Sequence, residues 1–372
     1  MRIDSKKKLT VKYLDRTVGY LNYINDINKV SFTYDRDWLN NGFSISPFSL
    51  PLKDQIFIPN NNNFDGLFGV FADSFPDSWG MLLLDRKLKQ LGLNLNDLNC
   101  LDKLALIGNC SDKALKYVPQ YDLTIKGYKN IDLDYIAKKC LEIIDNKSIK
   151  NIDELLYLNG SSGGARPKAN VMIDNEMWLV KFPSSVDNKN IGKMEYDYFA
   201  CAERCNIKVA EYRLLQSEVC DGYFASKRFD KNKLVLTASA ILESDYRIPS
   251  LDYNSLIKLT KILTNNNDKE ILNMFRLMCF NVFSHNRDDH GKNFSFIYDE
   301  RKDIWTAAPA YDLTYSNTYY GQHTSSVDGN GINPGKDDLL RVAKKNHLGN
   351  VESIIDDIKV LVDIYLKDYL KI

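Results

Sequence analysis

Three things are scarce in this sequence, and each narrows what the chain can be. Net charge is absent, because 49 Lys and Arg balance 49 Asp and Glu. Without a basic excess, strong direct binding to nucleic acid is not expected of the chain as a whole, although a local basic patch stays open. Cysteine is sparse and scattered. The seven residues, Cys100, Cys110, Cys140, Cys201, Cys205, Cys220 and Cys279, are odd in number and contain no C-x-x-C pair. That pattern argues against a disulfide framework and for buried, reduced thiols. Cys201 and Cys205 could share a helix face, but no His pair stands near them to complete a zinc site. Long apolar runs are missing too. No stretch approaches a membrane span, and the start, MRIDSKKKLTVKYL, carries no apolar signal-peptide region. A cytoplasmic protein with no membrane partner is the expectation.

What is present suits a folded enzyme. The 372 residues are 44% hydrophobic and 12% aromatic, enough for two or three domains with real cores. Residues 1–58 read as a small β subdomain of short alternating strands, with turns at Asp15-Arg16 and Asn25–Asn28. The polar NNNNFDG at 60–66 reads as a linker or exposed loop. Residues 67–150 read as mostly helical, and 151 to about 230 as a mixed sheet-and-helix stretch. Residues 59–235 would thus complete an N-terminal lobe. Residues 236–372 would form a mainly helical C-terminal lobe, with helical spacing over Ser255–Thr264, Lys269–Phe283 and Val351–Leu370.

The densest chemistry lies at 285–316, HNRDDHGKNFSFIYDERKDIWTAAPAYDLTYS. Asp288 and Asn293 stand five positions apart. An apolar strand, Phe294–Tyr298, follows, then a polar turn at Asp299–Lys302, a second apolar run from Ile304, and Asp312. Phosphoryl transfer needs a carboxylate near the incoming hydroxyl and hard oxygen ligands for Mg²⁺ on the phosphates. A hairpin between Asn293 and Asp312 would bring those two oxygen ligands together. A polar loop in which Asp and Asn merely bend the chain, with His290 as a core histidine, is the competing reading.

Upstream lies LNGSSGGARPKANVMIDNEMWLVKFP, 158–183. Ser161, Ser162, Gly163 and Gly164 have little side-chain bulk, which lets backbone N–H groups approach phosphate oxygens. Two apolar runs, Ala169–Ile173 and Met177–Phe182, flank an Asp-Asn turn and predict a hairpin. Lys181 faces opposite to Val180 and Phe182, placed to reach a phosphate or to serve as an edge-strand lysine. Met194, Tyr198, Cys201, Ala202 and Cys205 make one face of a helix. Glu195 beside that face is placed either to pair with Lys181 or to sit in solvent.

Both halves together resemble the HipA-like Ser/Thr kinases of bacterial toxin–antitoxin systems. The landmarks run in order: the β-rich start, FADSFPDSWGMLLLDRKL at 71–88, LDKLALIGN at 101–109, SSGGARPKA at 161–169, VKFP with Lys181, KRFD at 227–230, then DDHGKNFS and AYDLTYS. The resemblance implies an α+β, protein-kinase-like two-lobe fold that uses ATP and Mg²⁺. Asp288 would be the catalytic residue. Asn293 and Asp312 would ligate Mg²⁺. Ser162, Gly163, Gly164, Ala165, Lys181, His290 and Lys292 would serve the nucleotide, with Lys227 and Phe229 at the hinge. Ser161, or Ser162, would be the site of autophosphorylation. The implied partners are a protein substrate, in known relatives an aminoacyl-tRNA synthetase, and a HipB-like helix-turn-helix antitoxin through which DNA is reached indirectly. Two positions depart from the pattern: Lys227 replaces an acidic residue of many relatives, and Lys113 stands where the family often has Gly. A small-molecule or phosphoinositide-type kinase, a nucleotide-binding pseudokinase and a host-directed effector kinase remain the alternatives.

Overall fold

The structure is a computed structural model that describes residues 5–107, 113–123, 132–145, 152–159, 164–318 and 320–370. The chain opens with an antiparallel meander of β1 (Lys8–Tyr13), β2 (Arg16–Ile24) and β3 (Lys29–Tyr34). Leu9, Val11 and Tyr13 point inward from β1 and their neighbours point outward, the period of two that a half-buried strand requires. The first turn is Leu14-Asp15, one residue before the expected position, with Leu14 in the left-handed region at φ 53°. Helices α1 (Arg36–Asn41), α2 (Gly69–Ala72), α3 (Ser78–Gln90) and α4 (Cys100–Ile107) follow. Then β4 (Leu115–Val118) returns to pair with β1, from Thr10↔Val118 to Tyr13↔Leu115. The described residues of 67–150 are mostly helical, as expected, and this strand is the addition that the reading did not contain. Four residues are too few to show a period, and the strand's partner lies about a hundred positions away in sequence.

Helices α5 (Leu133–Ile144) and α6 (Ile152–Asn159) lead to the hairpin β5 (Lys168–Ile173) and β6 (Glu176–Lys181). Its two turn residues, Asp174 and Asn175, both have positive φ, as a two-residue hairpin turn demands. After α7 (Ile191–Arg204) and β7 (Tyr212–Leu215), β8 (Tyr223–Lys227) pairs with β6 through Trp178↔Lys227 and Val180↔Ala225. Next come β9 (Val235–Thr237), α8 (Ala238–Ile241), β10 (Leu251–Asp252), α9 (Tyr253–Leu263) and α10 (Asp268–Phe283). The chain continues with β11 (Ser295–Asp299), β12 (Ile304–Ala307), β13 (Ser325–Ser326), α11 (Lys336–Lys345) and α12 (Glu352–Tyr365).

The chain divides into two compact units. One comprises Met1–Lys189, Leu215–Leu234 and Ala240–Glu243; the other comprises Asn190–Leu214, Val235–Ser239 and Ser244–Ile372. The first is built on the meander and the β5-β6 hairpin, with Phe32, Phe71, Tyr117 and Trp178 in its core. In the second, nine of the sixteen residues of α10 are buried, so that helix is central, and it packs against α9 and α12. Asn267 caps its start by accepting the backbone N–H of Lys269. Among the described residues, no helix is long and apolar enough to cross a membrane. Cys100, Cys140, Cys201, Cys205 and Cys279 are buried free thiols, as expected; Cys110 lies outside the described residues.

Candidate active site

In the second unit, α10 delivers the chain into the loop that holds most of the predicted chemistry. His285 turns the chain through the left-handed region at φ 53°. Asn286 is buried, and its Nδ2 donates to Asn281 Oδ1 at 3.0 Å and to the carbonyl of Asp312 at 3.4 Å. The backbone of Asp312 is thereby tied to the loop that begins at His285. Ser316 N–H adds a second tie to the His285 carbonyl at 3.0 Å. Beyond Asn286 the loop is extended and alternates: Asp288 is exposed and Asp289 is buried.

Asn293 closes this loop. It ends a short 3-10 turn, Gly291–Asn293, and its Nδ2 donates to the Asp288 carbonyl at 2.6 Å. That bond assigns the amide's orientation and turns Oδ1 away from the carbonyl, leaving it as an oxygen acceptor. The β11-β12 hairpin runs in the expected place, from Phe296↔Ala307 to Asp299↔Ile304. It returns the chain to Tyr311, whose hydroxyl donates to the Lys292 carbonyl at 2.5 Å, and then to Asp312. The loop and hairpin thus collect Asp288, His290, Lys292, Asn293 and Asp312 in one structural piece. His290 Nε2 stands 3.9 Å from Asp288 Oδ1, beyond hydrogen-bond range. The His290 ring lies 5.3 Å from the Tyr246 ring, and Lys292 Nζ lies 4.7 Å above that same ring. Among the described residues no group of three or more His, Cys, Asp or Glu could hold a metal ion. A site made of one carboxylate and one amide is not a group of that kind.

The first unit carries the residues predicted to meet a nucleotide. Lys181 ends β6 between buried Val180 and Phe182, half-exposed, with Nζ 5.8 Å over the Phe224 ring. Gly164 has φ 93°, and a Cβ there would run into Lys168 Nζ. Its N–H donates to Asp77 Oδ2 at 2.6 Å, so in this structure that amide is directed at a carboxylate. Ala165 is exposed; Ser161, Ser162 and Gly163 lie outside the described residues. Arg166 clamps Asp187 through Nε and Nη2 at 3.1 Å each, and Ser184 N–H and Oγ donate to the same carboxylate. Burial pushes the Asp187 carboxyl upward, but Arg166 and Ser184 outweigh it and hold the group below the usual carboxylate range. At the other end of the sheet, Lys227 forms an ion pair with Glu176 at 3.2 Å. Phe229 is half-exposed beside Arg228, which is held by Asp230 at 2.6 and 2.7 Å and by Asn170 Oδ1 at 2.7 Å.

Sequence reasoning missed four residues here. Lys168 is buried and directly opposite Lys181 in the β5-β6 register. Asp77, at the start of α3, ties the FPDSWG landmark to Gly164. Asp289 and His323 are buried partners, with Nδ1 and Oδ2 2.9 Å apart. The Asp288-Asp289 doublet in an extended loop was the available signal, since alternation sends one of two neighbours inward. Glu195, left open between a pair and a solvated charge, is 3% exposed on α7, which removes the solvated reading.

Comparison with known proteins follows the same landmarks. Residues 160–363 match the HipA-like C-terminal domain, and residues 9–114 match the HipA N-terminal domain. Among solved structures, a chain in the complex of the Shewanella oneidensis MR-1 toxin–antitoxin proteins HipA and HipB with operator DNA superposes with a TM-score of 0.70. It is 17% identical, and the match covers 97% of this chain and 89% of that one. The Helicobacter pylori proinflammatory kinase CtkA is 16% identical over 54% of this chain and 89% of its own, with a TM-score of 0.38. Comparison with curated proteins gives no match. The fold is the expected α+β arrangement of the HipA type, and the domain match spans more than half the sequence: the chain belongs to the HipA-like family.

Proposed function

We propose that this chain is an ATP- and Mg²⁺-dependent kinase that phosphorylates Ser or Thr of a cytoplasmic protein, in the manner of HipA toxins. The observation that supports the reading best is the 2.6 Å bond from Asn293 Nδ2 to the Asp288 backbone carbonyl, which ties the backbone that carries the Asp288 carboxylate to an amide whose oxygen is left to accept. The donor set suits Mg²⁺, because Asn293 Oδ1 and the Asp312 carboxylate are hard oxygen ligands. ATP would be met by Lys181 and by the loop of Ser162, Gly163, Gly164 and Ala165. Bound Mg·ATP supplies the transferable phosphoryl group and neutralises charge on its oxygens. Asp288 accepts or orients the acceptor hydroxyl's proton, and its exposure leaves room for a protein side chain. Asn293 and Asp312 hold the cation side of the site. Lys292, with its ammonium over the Tyr246 ring, gives the loop a positive charge, and His290 packs against the same ring.

Family membership supports a HipB-like helix-turn-helix partner, with DNA reached through it, and the Shewanella structure is a complex of HipA, HipB and operator DNA. It also supports an aminoacyl-tRNA synthetase as substrate and Ser161 or Ser162 as an autophosphorylation site that weakens ATP binding by adding negative charge near the triphosphate. The test is an acceptor screen with γ-labelled ATP over proteins, inositol lipids and small alcohols, followed by phosphoamino-acid analysis. Label on protein Ser or Thr is the expected result. Label only on lipid or small molecules, or none at all with ATP bound, overturns it.

A further inference from the structure

Residues 323–326 lie after Asp312, in the part of the chain that in phosphorylation-gated kinases is ordered by an added phosphate bound to Arg. In this protein one buried carboxylate fastens that stretch to the loop that carries Asp288. Asp289 is 1% exposed. Its Oδ1 accepts the backbone N–H of Thr324 at 2.8 Å and of Ser325 at 3.1 Å. Its Oδ2 accepts the Tyr253 hydroxyl at 2.7 Å and lies 2.9 Å from His323 Nδ1. Its backbone carbonyl accepts Ser325 Oγ at 2.5 Å. Tyr253 is held in turn by Asn281 Nδ2 at 2.9 Å, from the end of α10.

Further bonds run alongside. Thr324 donates to the Arg287 carbonyl through N–H at 2.9 Å and Oγ1 at 3.1 Å. Leu251 and Asp252 pair in parallel with Ser325 and Ser326. Arg287, the cation next to Asp288, is bonded to Asn317 Oδ1 at 2.7 Å. A carboxylate taken from water is tolerated only when its oxygens are satisfied, and all four partners of Asp289's side chain come from outside its own loop. The negative charge that a phosphate would bring is already built in, and it accepts from the 323–325 backbone and side chains.

We propose that Asp289 is a positioning residue that holds residues 323–326 against the catalytic loop, so that no phosphate is needed to order them. Its link to catalysis rests on the kinase reading above; the ordering itself does not. The test is hydrogen exchange on phosphatase-treated wild type, Asp289→Asn, Asp289→Ala and Tyr253→Phe, with calorimetry of a non-hydrolysable ATP analogue and assays of transfer. Wild-type 323–326 should be protected without phosphate. In the Asp289 variants exchange there should rise about 10- to 100-fold, as expected for lost bonds to a charged group, while the rest of the unit stays protected. Tyr253→Phe should give a smaller rise at the same residues. Transfer should fall in kcat with ATP affinity unchanged. Free exchange of wild-type 323–326 after phosphatase, unchanged exchange in Asp289→Asn, or a uniform rise across the unit overturns the proposal. If Asp289→Ala does not fold, Asp289→Asn and Tyr253→Phe decide it. If the wild type transfers to no acceptor, the kinase reading fails while exchange still decides whether Asp289 positions the segment.

Discussion

Single residues divide the account most sharply where charge is involved. Lys181 is half-exposed at the end of a strand, and an ordinary edge lysine would look the same in sequence. Lys181→Met keeps the stem and removes the ammonium. Losing a bond to a charged group is worth about 1.5–3 kcal/mol, so an ATP analogue should bind roughly 10- to 100-fold more weakly, with little change in melting temperature. Equal affinity by calorimetry would return Lys181 to the edge-lysine role. His285 offers a test by pH. Burial, then Arg287 and His323, lowers its pKa below the ordinary value of about 6.5. The folded state therefore favours the neutral ring. That stability is present above about pH 6.5 and is lost as pH falls toward the depressed folded pKa. His285→Asn keeps a residue that tolerates φ 53° and removes the titration. Denaturant midpoints at two pH values, one on each side of that window, should fall further for wild type than for the variant; parallel falls would refute the assignment. At this scale the closeness of Asp288 and Asn293 and the place of Lys181 at a strand end were legible because spacing is local. Lys168 was not, because its place opposite Lys181 depends on the register of two strands.

Elements were legible where they are long or end in a distinctive turn. The Asp174-Asn175 turn announced the β5-β6 hairpin, and the polar turn before Ile304 announced β11-β12. The helices α9, α10 and α12 followed from their apolar spacing. Four-residue β4 did not, since its stability comes from β1 rather than from its own pattern. Helix α11 was also missed, although Leu339, Val342 and Ala343 fall on its buried face. Central α10 carries a stability prediction. Phe280 is fully buried and meets the Tyr198 ring edge-on, with centroids 6.1 Å apart. Phe280→Ala should cost about 3–5 kcal/mol from lost transfer energy and the cavity left behind. Urea unfolding measures this, and a loss below about 1 kcal/mol would deny α10 its central place.

For the whole molecule, balanced charge and the absence of long apolar runs narrowed the class, but the division into two units was harder to read. The second unit takes in Asn190–Leu214 as well as the later residues, and no linker composition marks that exchange of chain. The predicted chemistry is shared between the units, with Lys181 and Gly164 in one and Asp288, Asn293 and Asp312 in the other. The central claim is that this chain moves a phosphoryl group with Asp288 at the acceptor. Its most direct test is intact-mass and peptide mapping of wild type and Asp288→Ala after incubation with Mg·ATP and a protein acceptor. Wild type should place phosphate on Ser or Thr. Asp288→Ala should lose about 10²- to 10⁴-fold in rate while still binding the ATP analogue, as removal of a proton-accepting group predicts. Equal transfer by the two proteins would contradict the account.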